Sequence, residues 1–204
     1  MRRRFGDLRL ETIAAFRHRF RDTATGVYGA YGADAFALDM GAVTENERGT
    51  VLAHIRKTYE VDTELHFDTG IFGTPILLRC LCENGMGDLA FKLVTSSGFP
   101  SYRHMLESGA TTLWETWDGG ASHNHPMFGS VSAILFRYFV GIRPDEETPG
   151  FKKVIVHPVV PQGLRHVRGS VETVRGRVAV EWWNDEQGFR LDVRAPEGVE
   201  VVRI

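Results

Sequence analysis

Apolar side chains recur every three or four positions through the first two-thirds of the chain, which is the spacing of an amphipathic helix. The apolar residues between Ile13 and Phe20 show this spacing, and Thr44 with Glu47 forms a capping-box pattern that predicts a helix start just after it. The whole pattern predicts helices over residues 10–20, 33–40, 45–60, 74–81, 87–94 and 126–142.

After Gly141, alternation of apolar and polar residues replaces the helical spacing. Residues 143–150, rich in Pro, Gly and acidic side chains, predict a linker, while Arg175-Gly176 and Gln187-Gly188 predict hairpin turns. We therefore expect two domains, residues 1–146 and 147–204. The second holds predicted strands over residues 153–157, 167–174, 177–183, 189–194 and 199–204.

Charge and hydropathy argue against two classes of partner. With 24 Lys and Arg against 26 Asp and Glu, the chain has a formal net charge of -2 and no long basic stripe, so we expect no nucleic-acid partner. The longest mainly apolar run, residues 127–142, contains Arg137 and is shorter than the roughly 20 residues that cross a bilayer. This run predicts a buried helix, and we expect no membrane partner.

The two cysteines and the N-terminus bear on cellular location. Cys80 and Cys82 stand at positions i and i+2 of a predicted helix, from which they do not bridge easily. The basic run Met1–Arg4 is followed by charged residues rather than by the apolar stretch of a signal peptide. We therefore expect a cytoplasmic protein with free thiols.

Two tryptophans flank an acid in the segment 109–120, where Trp114, Glu115 and Trp117 follow neither a helical nor a strand period. The chain holds 13 Phe, 5 Tyr and 4 Trp, which suits a large core or a sugar-stacking cleft. In one interpretation the indoles stack on a sugar while the carboxylate performs acid–base chemistry. In the other, the indoles are core anchors and Glu115 caps a helix. The residues alone favour both equally.

Two further polar loops precede predicted helices. His123 and His125 have a spacing that suits a metal, but no third and fourth ligand stands nearby, so we predict no metal site and no cofactor. The preferred interpretations are a hydrogen bond from His125 to a sugar hydroxyl or a structural cap by Asn124. In the loop before the fourth predicted helix, Asp68 or Thr69 is predicted to act as the cap.

Four motifs, taken in order, carry a resemblance to a known family. The chain resembles the C-terminal part of a bacterial α-L-rhamnosidase of glycoside hydrolase family 78. The resemblance implies a two-part α + β chain, in which a partial (α/α)6 six-hairpin toroid precedes a C-terminal antiparallel β-sandwich domain. The motifs are the Gly-rich loop 66–75, the Asn-Gly stretch 83–90, the Trp-Glu-x-Trp run 109–119 and the Asn-His stretch 124–131.

The same resemblance implies hydrolysis of terminal non-reducing α-L-rhamnose, with inversion, from a rhamnose-containing oligosaccharide or glycoside. Glu115 matches the general base that activates water, Trp114 and Trp117 match residues that shape the rhamnose pocket, and His125 matches a sugar-hydroxyl ligand. Inverting hydrolysis uses two carboxyl groups roughly 6.5–9.5 Å apart, with water between one of them and the sugar.

The general acid of the family is missing from the sequence. Its Asp-Cys-Pro-x-Arg-like motif does not occur in the 204 residues, and sequence alone does not promote Asp68 or Asp118 to that role. A complete barrel also needs more helices than the chain supplies. We therefore expect a C-terminal fragment, left by truncation, a mis-assigned start or a split enzyme. Such a fragment exposes apolar patches and pairs with an upstream half-protein or with itself.

Two alternatives stay open beside the rhamnosidase hypothesis. One is a non-catalytic carbohydrate-binding or structural remnant that keeps the Trp-rich pocket without the chemistry. The other is a hydrolase or lyase of the same barrel type that acts on a different sugar, since a fold does not fix a function.

Overall fold

The computed structural model describes the backbone of residues 2–204 and the side chains of residues 4–204. Met1 and the side chains of Arg2 and Arg3, part of the basic run considered above, lie outside this description. The described chain begins with helices and ends with two three-stranded sheets, which confirms the predicted change from helices to strands.

The chain divides into two compact units, a helical unit that ends at Phe128 and a β unit that begins at Gly129. Each unit has its own buried core, so the two are described separately. The predicted domains, residues 1–146 and 147–204, stay a prediction.

Within the described residues, the helical unit contains six α-helices. Five lie where the apolar spacing predicts them, although the first begins at Arg2, eight residues before the predicted start at residue 10. The sixth is not predicted, because six residues are too few to show a period. The helices are α1 (Arg2–Phe20), α2 (Ala33–Asp39), α3 (Glu45–Lys57, continued by a π-helical turn over Thr58–Asp62), α4 (Gly73–Glu83), α5 (Gly87–Thr95) and α6 (Tyr102–Glu107).

Glu47, in the first turn of α3, joins that helix to α1. Its carboxylate accepts hydrogen bonds from the Thr44 N–H at 3.0 Å and hydroxyl at 2.8 Å, which confirms the predicted capping pattern. The same carboxylate also accepts hydrogen bonds from both terminal nitrogens of Arg17, at 2.8 and 2.9 Å. One of its oxygens lies 2.8 Å from Arg21 Nε. The Arg17 guanidinium, followed by the Thr44 N–H, holds the pKa of Glu47 far below its ordinary value.

α4 is the most buried helix of the unit and contacts both α2 and α5. Leu77, Leu78 and Leu81 are fully covered, because apolar residues occupy more than one face of this helix. Cys80 and Cys82 are buried and unbridged, as predicted. Burial raises the pKa of the Cys80 thiol to about 12, so this thiol stays protonated near neutral pH.

α1 leaves more large apolar side chains in solvent than any other helix of the described residues. Phe5, Leu8, Leu10 and Phe20 are each more than half exposed. This helix therefore presents an exposed apolar surface, and its pairing with another polypeptide stays a prediction.

The segment from Pro126 to Val140, predicted as one buried helix, changes its winding twice. A 3-10 turn over Pro126–Ser130 leads into α7 (Val131–Ile134) and then into a π-helical stretch, Leu135–Val140. The helical stretch ends at Gly141, which has a φ of 83°. A Cβ atom there would lie 2.4 Å from Pro158 N, so the close approach of these two backbones requires glycine.

Six strands form the two sheets of the β unit. In the first sheet, β1 (Ile142–Pro144) pairs antiparallel with β2 (Lys153–Val156), and β2 pairs parallel with β6 (Glu200–Arg203). The second sheet is an antiparallel meander of β3 (His166–Thr173), β4 (Gly176–Asp185) and β5 (Gly188–Arg194). β1 lies at the start of the predicted linker and was not expected.

The core of the β unit is filled from both sheets, as in a sandwich. Alternate residues of β4 point inward, and Trp182 is the largest of them. Its indole Nε1 donates a hydrogen bond to the Phe139 carbonyl at 2.7 Å, which satisfies the one polar atom of the ring. The buried cluster consists of Val140, Ile142, Val154, Val156, Val178, Val180 and Trp182.

Candidate functional site

All four predicted site residues lie in one loop of the helical unit, between the end of α6 and Pro126. The loop folds back on itself without forming a strand pair. The Glu115 N–H donates to Ser122 O at 2.8 Å, and the His125 N–H donates to Leu113 O at 2.8 Å. These two bonds bring Glu115 and His125 onto neighbouring parts of the same folded loop, which we call the acid loop (residues 108–125).

The tip of the acid loop is closed by Asp118. Its carboxylate accepts the Thr116 hydroxyl at 2.7 Å and the Gly120 N–H at 3.0 Å. These hydrogen bonds, the Thr116 hydroxyl first, lower the pKa of Asp118 below its ordinary value. Asp118 is thus an ionised turn residue, and its Oδ1 accepts both hydrogen bonds from its own loop.

Trp114 packs within the acid loop and is only 8% exposed. Its indole stacks on the His123 ring, with centroids 4.8 Å apart and planes at 21°. The His123 Nε2 donates to Gly119 O at 2.8 Å, and a Cβ at Gly119 would lie 3.0 Å from the indole. The stacked pair therefore fixes the two limbs of the loop on either side of Glu115.

Trp117 anchors the acid loop to the preceding loop of the unit. It is 9% exposed, and its Nε1 donates to the Thr69 carbonyl at 2.7 Å. The ring stacks on that of Phe67, with centroids 5.1 Å apart, and its centroid lies 4.1 Å from that of Phe128. The Tyr102 ring meets it edge-on at a centroid distance of 5.2 Å. Such a cluster of aromatic rings is rigid because each ring is held by several others.

Glu115 itself is half-buried, next to Trp114 and two residues before Trp117 in the sequence. Among the described residues, one hydrogen bond to its carboxylate is seen, from the Ser122 N–H at 3.3 Å. Glu115 lies in a loop, so the interpretation that it caps a helix is wrong. The burial of Trp114 and Trp117 agrees with the core-anchor interpretation, and their contact with a sugar stays a prediction.

Asp68 holds the loop before α4, residues 66–72, against two tyrosines and does not cap that helix. One carboxylate oxygen accepts the Tyr31 N–H at 2.7 Å, and the other accepts the Tyr59 hydroxyl. Burial and the adjacent Asp68 charge raise the pKa of Tyr59 far above its ordinary value, so the phenol remains a donor. α4 begins after Phe72 with no side-chain cap, so the prediction that Asp68 or Thr69 caps it is wrong.

Thr69 fills the space where three segments of the unit meet. Its hydroxyl is hydrogen-bonded to the Thr74 hydroxyl at 2.9 Å, and its carbonyl accepts the hydrogen bond from the Trp117 indole N–H. Its methyl group leaves no room for side chains at two glycines: a Cβ at Gly32 would lie 2.7 Å away, and one at Gly73 would lie 3.0 Å away. The buried Thr69 thus locks the start of α2, the start of α4 and the acid loop together.

His125 is half-buried at the end of the acid loop. Its Nδ1 accepts the Met127 N–H at 3.4 Å, a long bond that orients the ring. The predicted sugar contact of His125, like the predicted structural cap by Asn124, stays a prediction.

Two kinds of structure are absent from the described residues. No three His, Cys, Asp or Glu side chains from 4 to 204 are grouped so that they could hold a metal ion. None of the helices between residues 2 and 204 is both long enough and apolar enough to span a membrane.

Sequence patterns missed Tyr59 and the carbonyl of Thr69, both of which support the acid loop. Tyr59 falls on the apolar face of α3 and has the signature of a core residue. A main-chain carbonyl leaves no signature at all. Among the residues that contact Trp117, Phe67 was visible in the sequence, because it stands beside Asp68 in a polar-aromatic loop.

Two family models match the chain in succession. The bacterial α-L-rhamnosidase six-hairpin glycosidase domain matches residues 2–139, and the bacterial α-L-rhamnosidase C-terminal domain matches residues 141–202. These matches confirm the resemblance stated above, including its order of a partial hairpin domain followed by a second domain.

Curated relatives give the same result over part of their length. An α-L-rhamnosidase of Alteromonas sp. is 33% identical over 144 residues, which is 65% of this chain and 15% of the relative. An α-L-rhamnosidase of Formosa agariphila is 31% identical over 180 residues, which is 85% of this chain and 19% of the relative. The chain therefore spans less than a fifth of the length of either relative.

Solved structures extend the similarity to nearly the whole chain. The α-L-rhamnosidase from Dictyoglumus thermophilum has a TM-score of 0.90 and 29% identity, covering 98% of this chain and 23% of that one. The Streptomyces avermitilis α-L-rhamnosidase, solved in complex with L-rhamnose, has a TM-score of 0.88 and 25% identity. The match covers 98% of this chain and 20% of that one. Sequence models and structures agree, and the chain belongs to the family of bacterial α-L-rhamnosidases with a six-hairpin glycosidase domain, of which it carries a part followed by the C-terminal domain.

Proposed function

We propose that this chain supplies the general-base side of a glycosidase site that removes terminal non-reducing α-L-rhamnose by an inverting mechanism. Glu115 is the proposed base, and Trp114, Trp117 and His125 are the proposed residues that shape or contact the sugar site. Membership of the family and the L-rhamnose complex of the Streptomyces avermitilis relative support the choice of sugar.

The observation that carries the proposal is the contrast among the acids of the two adjoining loops. Asp118 is exposed at the tip of the loop, where its Oδ1 accepts two hydrogen bonds from its own turn, and both oxygens of Asp68 accept hydrogen bonds, from Tyr31 and Tyr59. Glu115 is half-buried, is flanked in the sequence by the buried Trp114 and Trp117, and receives a single long hydrogen bond from Ser122. A general base has to be fixed in position and open to the water that it activates. Of the three acids, Glu115 best meets both conditions.

The proposed mechanism needs a second carboxyl group as general acid, roughly 6.5–9.5 Å from the base. We propose that it comes from a polypeptide segment outside these 204 residues, because the acidic motif of the family is not among them. In this arrangement Glu115 takes a proton from water as the water attacks the anomeric carbon, and the external acid protonates the leaving oxygen. The chain is then active when that segment is supplied.

The test is turnover of p-nitrophenyl α-L-rhamnoside by the chain alone and by the chain mixed with the upstream part of a relative. We expect turnover in the mixture, and Glu115→Gln should reduce it by about 100-fold or more, as expected on removal of a general base. Asp118→Asn is the matched control, because this acid lies three residues away in the same loop; its variant should retain most of the rate.

Two results would contradict the proposal. Equal turnover by Glu115→Gln and the unaltered chain would remove Glu115 from the mechanism. Binding of L-rhamnose in a calorimeter without turnover in either arrangement would instead favour the non-catalytic carbohydrate-binding alternative. A substrate screen on the active mixture distinguishes a rhamnosidase from a barrel enzyme that acts on another sugar.

A further inference from the structure

Tyr31 combines two features that do not favour folding. Its ring is 75% exposed, so it contributes little apolar burial, and its backbone has a φ of 58°, in the left-handed region that favours glycine. A bulky residue in that region is strained, and such strain persists only where neighbouring groups enforce it. Residues with a strained backbone cluster at active sites and ligand-binding positions.

The strain at Tyr31 is enforced by the loop before α4. The Tyr31 N–H donates to Asp68 at 2.7 Å, and the buried Tyr59 holds the other oxygen of that carboxylate. The next residue, Gly32, is also left-handed and packs against the Thr69 methyl group. The backbone at Tyr31 is therefore held from both sides, while its ring is left in solvent.

The same loop connects Tyr31 to the acid loop. Asp68 binds the Tyr31 backbone, and its neighbour Thr69 binds the Trp117 indole at 2.7 Å. Trp117 stands two residues from Glu115 in the sequence. Because Asp68 and Thr69 are adjacent, the Tyr31 backbone lies at the same end of the helical unit as the acid loop.

We propose that Tyr31 is a stacking residue for the part of a rhamnoside that lies beyond the rhamnose itself. The ligand it takes is a flat ring with an apolar face, either an aromatic aglycone or a second pyranose, because an exposed phenol ring binds both by stacking. This inference rests on the proposed function, since it places the rhamnose near Glu115.

The test uses the full chain, with the upstream part of a relative added if L-rhamnose binding requires it, and saturation-transfer NMR titrations. The probes are L-rhamnose, methyl α-L-rhamnoside, p-nitrophenyl α-L-rhamnoside and a rhamnosyl-glucose disaccharide. Tyr31→Phe keeps the ring, and Tyr31→Gly removes it while relieving the backbone strain. The Gly variant should therefore fold at least as stably as the unaltered chain, which its thermal midpoint checks.

We expect the p-nitrophenyl glycoside, the disaccharide or both to bind about three- to tenfold more tightly than methyl α-L-rhamnoside, the range expected for one stacked ring. Tyr31→Gly should abolish this gain, Tyr31→Phe should keep it, and neither should alter the affinity for L-rhamnose. A gain with the p-nitrophenyl glycoside alone assigns the position to an aromatic aglycone, and a gain with the disaccharide alone assigns it to a second sugar.

The negative results separate this inference from the proposed function. If L-rhamnose binds and Tyr31→Gly leaves the gain intact, or if no gain exists, the stacking role is overturned while the proposed function stands. If the unaltered chain binds no probe in either arrangement, both are overturned. Loss of L-rhamnose affinity in Tyr31→Gly would overturn the stacking role in favour of a structural one.

Discussion

Each unit of the molecule contains a buried tryptophan with the same polar contact. Trp117 in the helical unit and Trp182 in the β unit both donate the indole N–H to a main-chain carbonyl at 2.7 Å. Trp182 stands on a strand from which it alternates into the core with Val178 and Val180. Trp117 stands in an irregular loop and reaches a carbonyl 48 residues away in the sequence.

The comparison shows that one interaction can serve two purposes. In the β unit, the regular alternation of β4 already places the indole, so its bond completes a core. In the helical unit, no repeating pattern places the acid loop, and the bond from Trp117 to Thr69 ties that loop to the loop before α4. Removing Trp182 should therefore affect stability alone, whereas altering Trp117 should also affect ligand chemistry.

The largest expected effect is on the stability of the β unit. Trp182→Ala should lower the free energy of unfolding by about 3–5 kcal/mol, because a large fully buried side chain is replaced by a cavity. The measurement is urea denaturation of the chain. Trp183→Ala is the matched control, since this neighbour is half-buried between His166 and Arg190 and should cost much less. Equal losses for the two variants would refute the assignment of Trp182 as the core residue.

A smaller effect distinguishes the two indole bonds. Trp117→Phe and Trp182→Phe each remove the N–H and leave a buried carbonyl without that donor, at a cost of about 1–3 kcal/mol. Only Trp117→Phe should reduce rhamnoside turnover in the reconstituted mixture, because only this bond positions the acid loop. The readouts are urea midpoints and kcat/KM, compared at a temperature where both variants are folded. A loss of turnover in Trp182→Phe as large as in Trp117→Phe would contradict the division of roles.

The smallest effect concerns the charged link between α1 and α3. Glu47→Gln should cost about 2 kcal/mol at pH 7, where the carboxylate accepts hydrogen bonds from Arg17 and Thr44. The folded-state pKa of Glu47 is lowered from 4.5, so the unfolded chain takes up this proton first as the pH falls. Its stabilisation is therefore present above pH 4.5 and is lost as the pH falls below it.

The measurement is the urea midpoint between pH 7 and pH 3 for both chains. The difference between the unaltered chain and Glu47→Gln should shrink in acid. Glu107→Gln, which alters an exposed ion pair to Arg103, is the control and should show little difference at any pH. A constant difference for Glu47→Gln across this range would show that its ionisation does not stabilise the fold.

Most of the fold follows from local patterns in the sequence. The strands β3, β4 and β5 were predicted because their inward and outward residues alternate, and α3 was predicted because Thr44 and Glu47 mark its start. α6 was missed because it has too few residues to show a period. β1 was missed because its sequence resembles a linker, and it becomes a strand only through pairing with β2.

The sequence pointed to the residues of the candidate site, but not to the hydrogen bonds that hold the acid loop in place. The flanking of Glu115 by two tryptophans was visible in the sequence, and it singled out the segment for attention. The contacts of Asp68 and Thr69 were not visible, because they join residues 37 and 48 positions apart and one of them ends on a main-chain carbonyl. Such pairs depend on how the helices pack, and a single sequence holds no record of that packing.

The methyl group of Thr69 has a consequence for transplanting parts of this molecule. It touches Gly32 and Gly73, and the carbonyl of the same residue holds Trp117. The three segments are the start of α2, the loop and start of α4, and the acid loop. If one of them were exchanged for that of a relative, its side chains would no longer fit against the other two. Chimeras should therefore tolerate the segments only as a single block, and natural variation at the four positions should be correlated across the family.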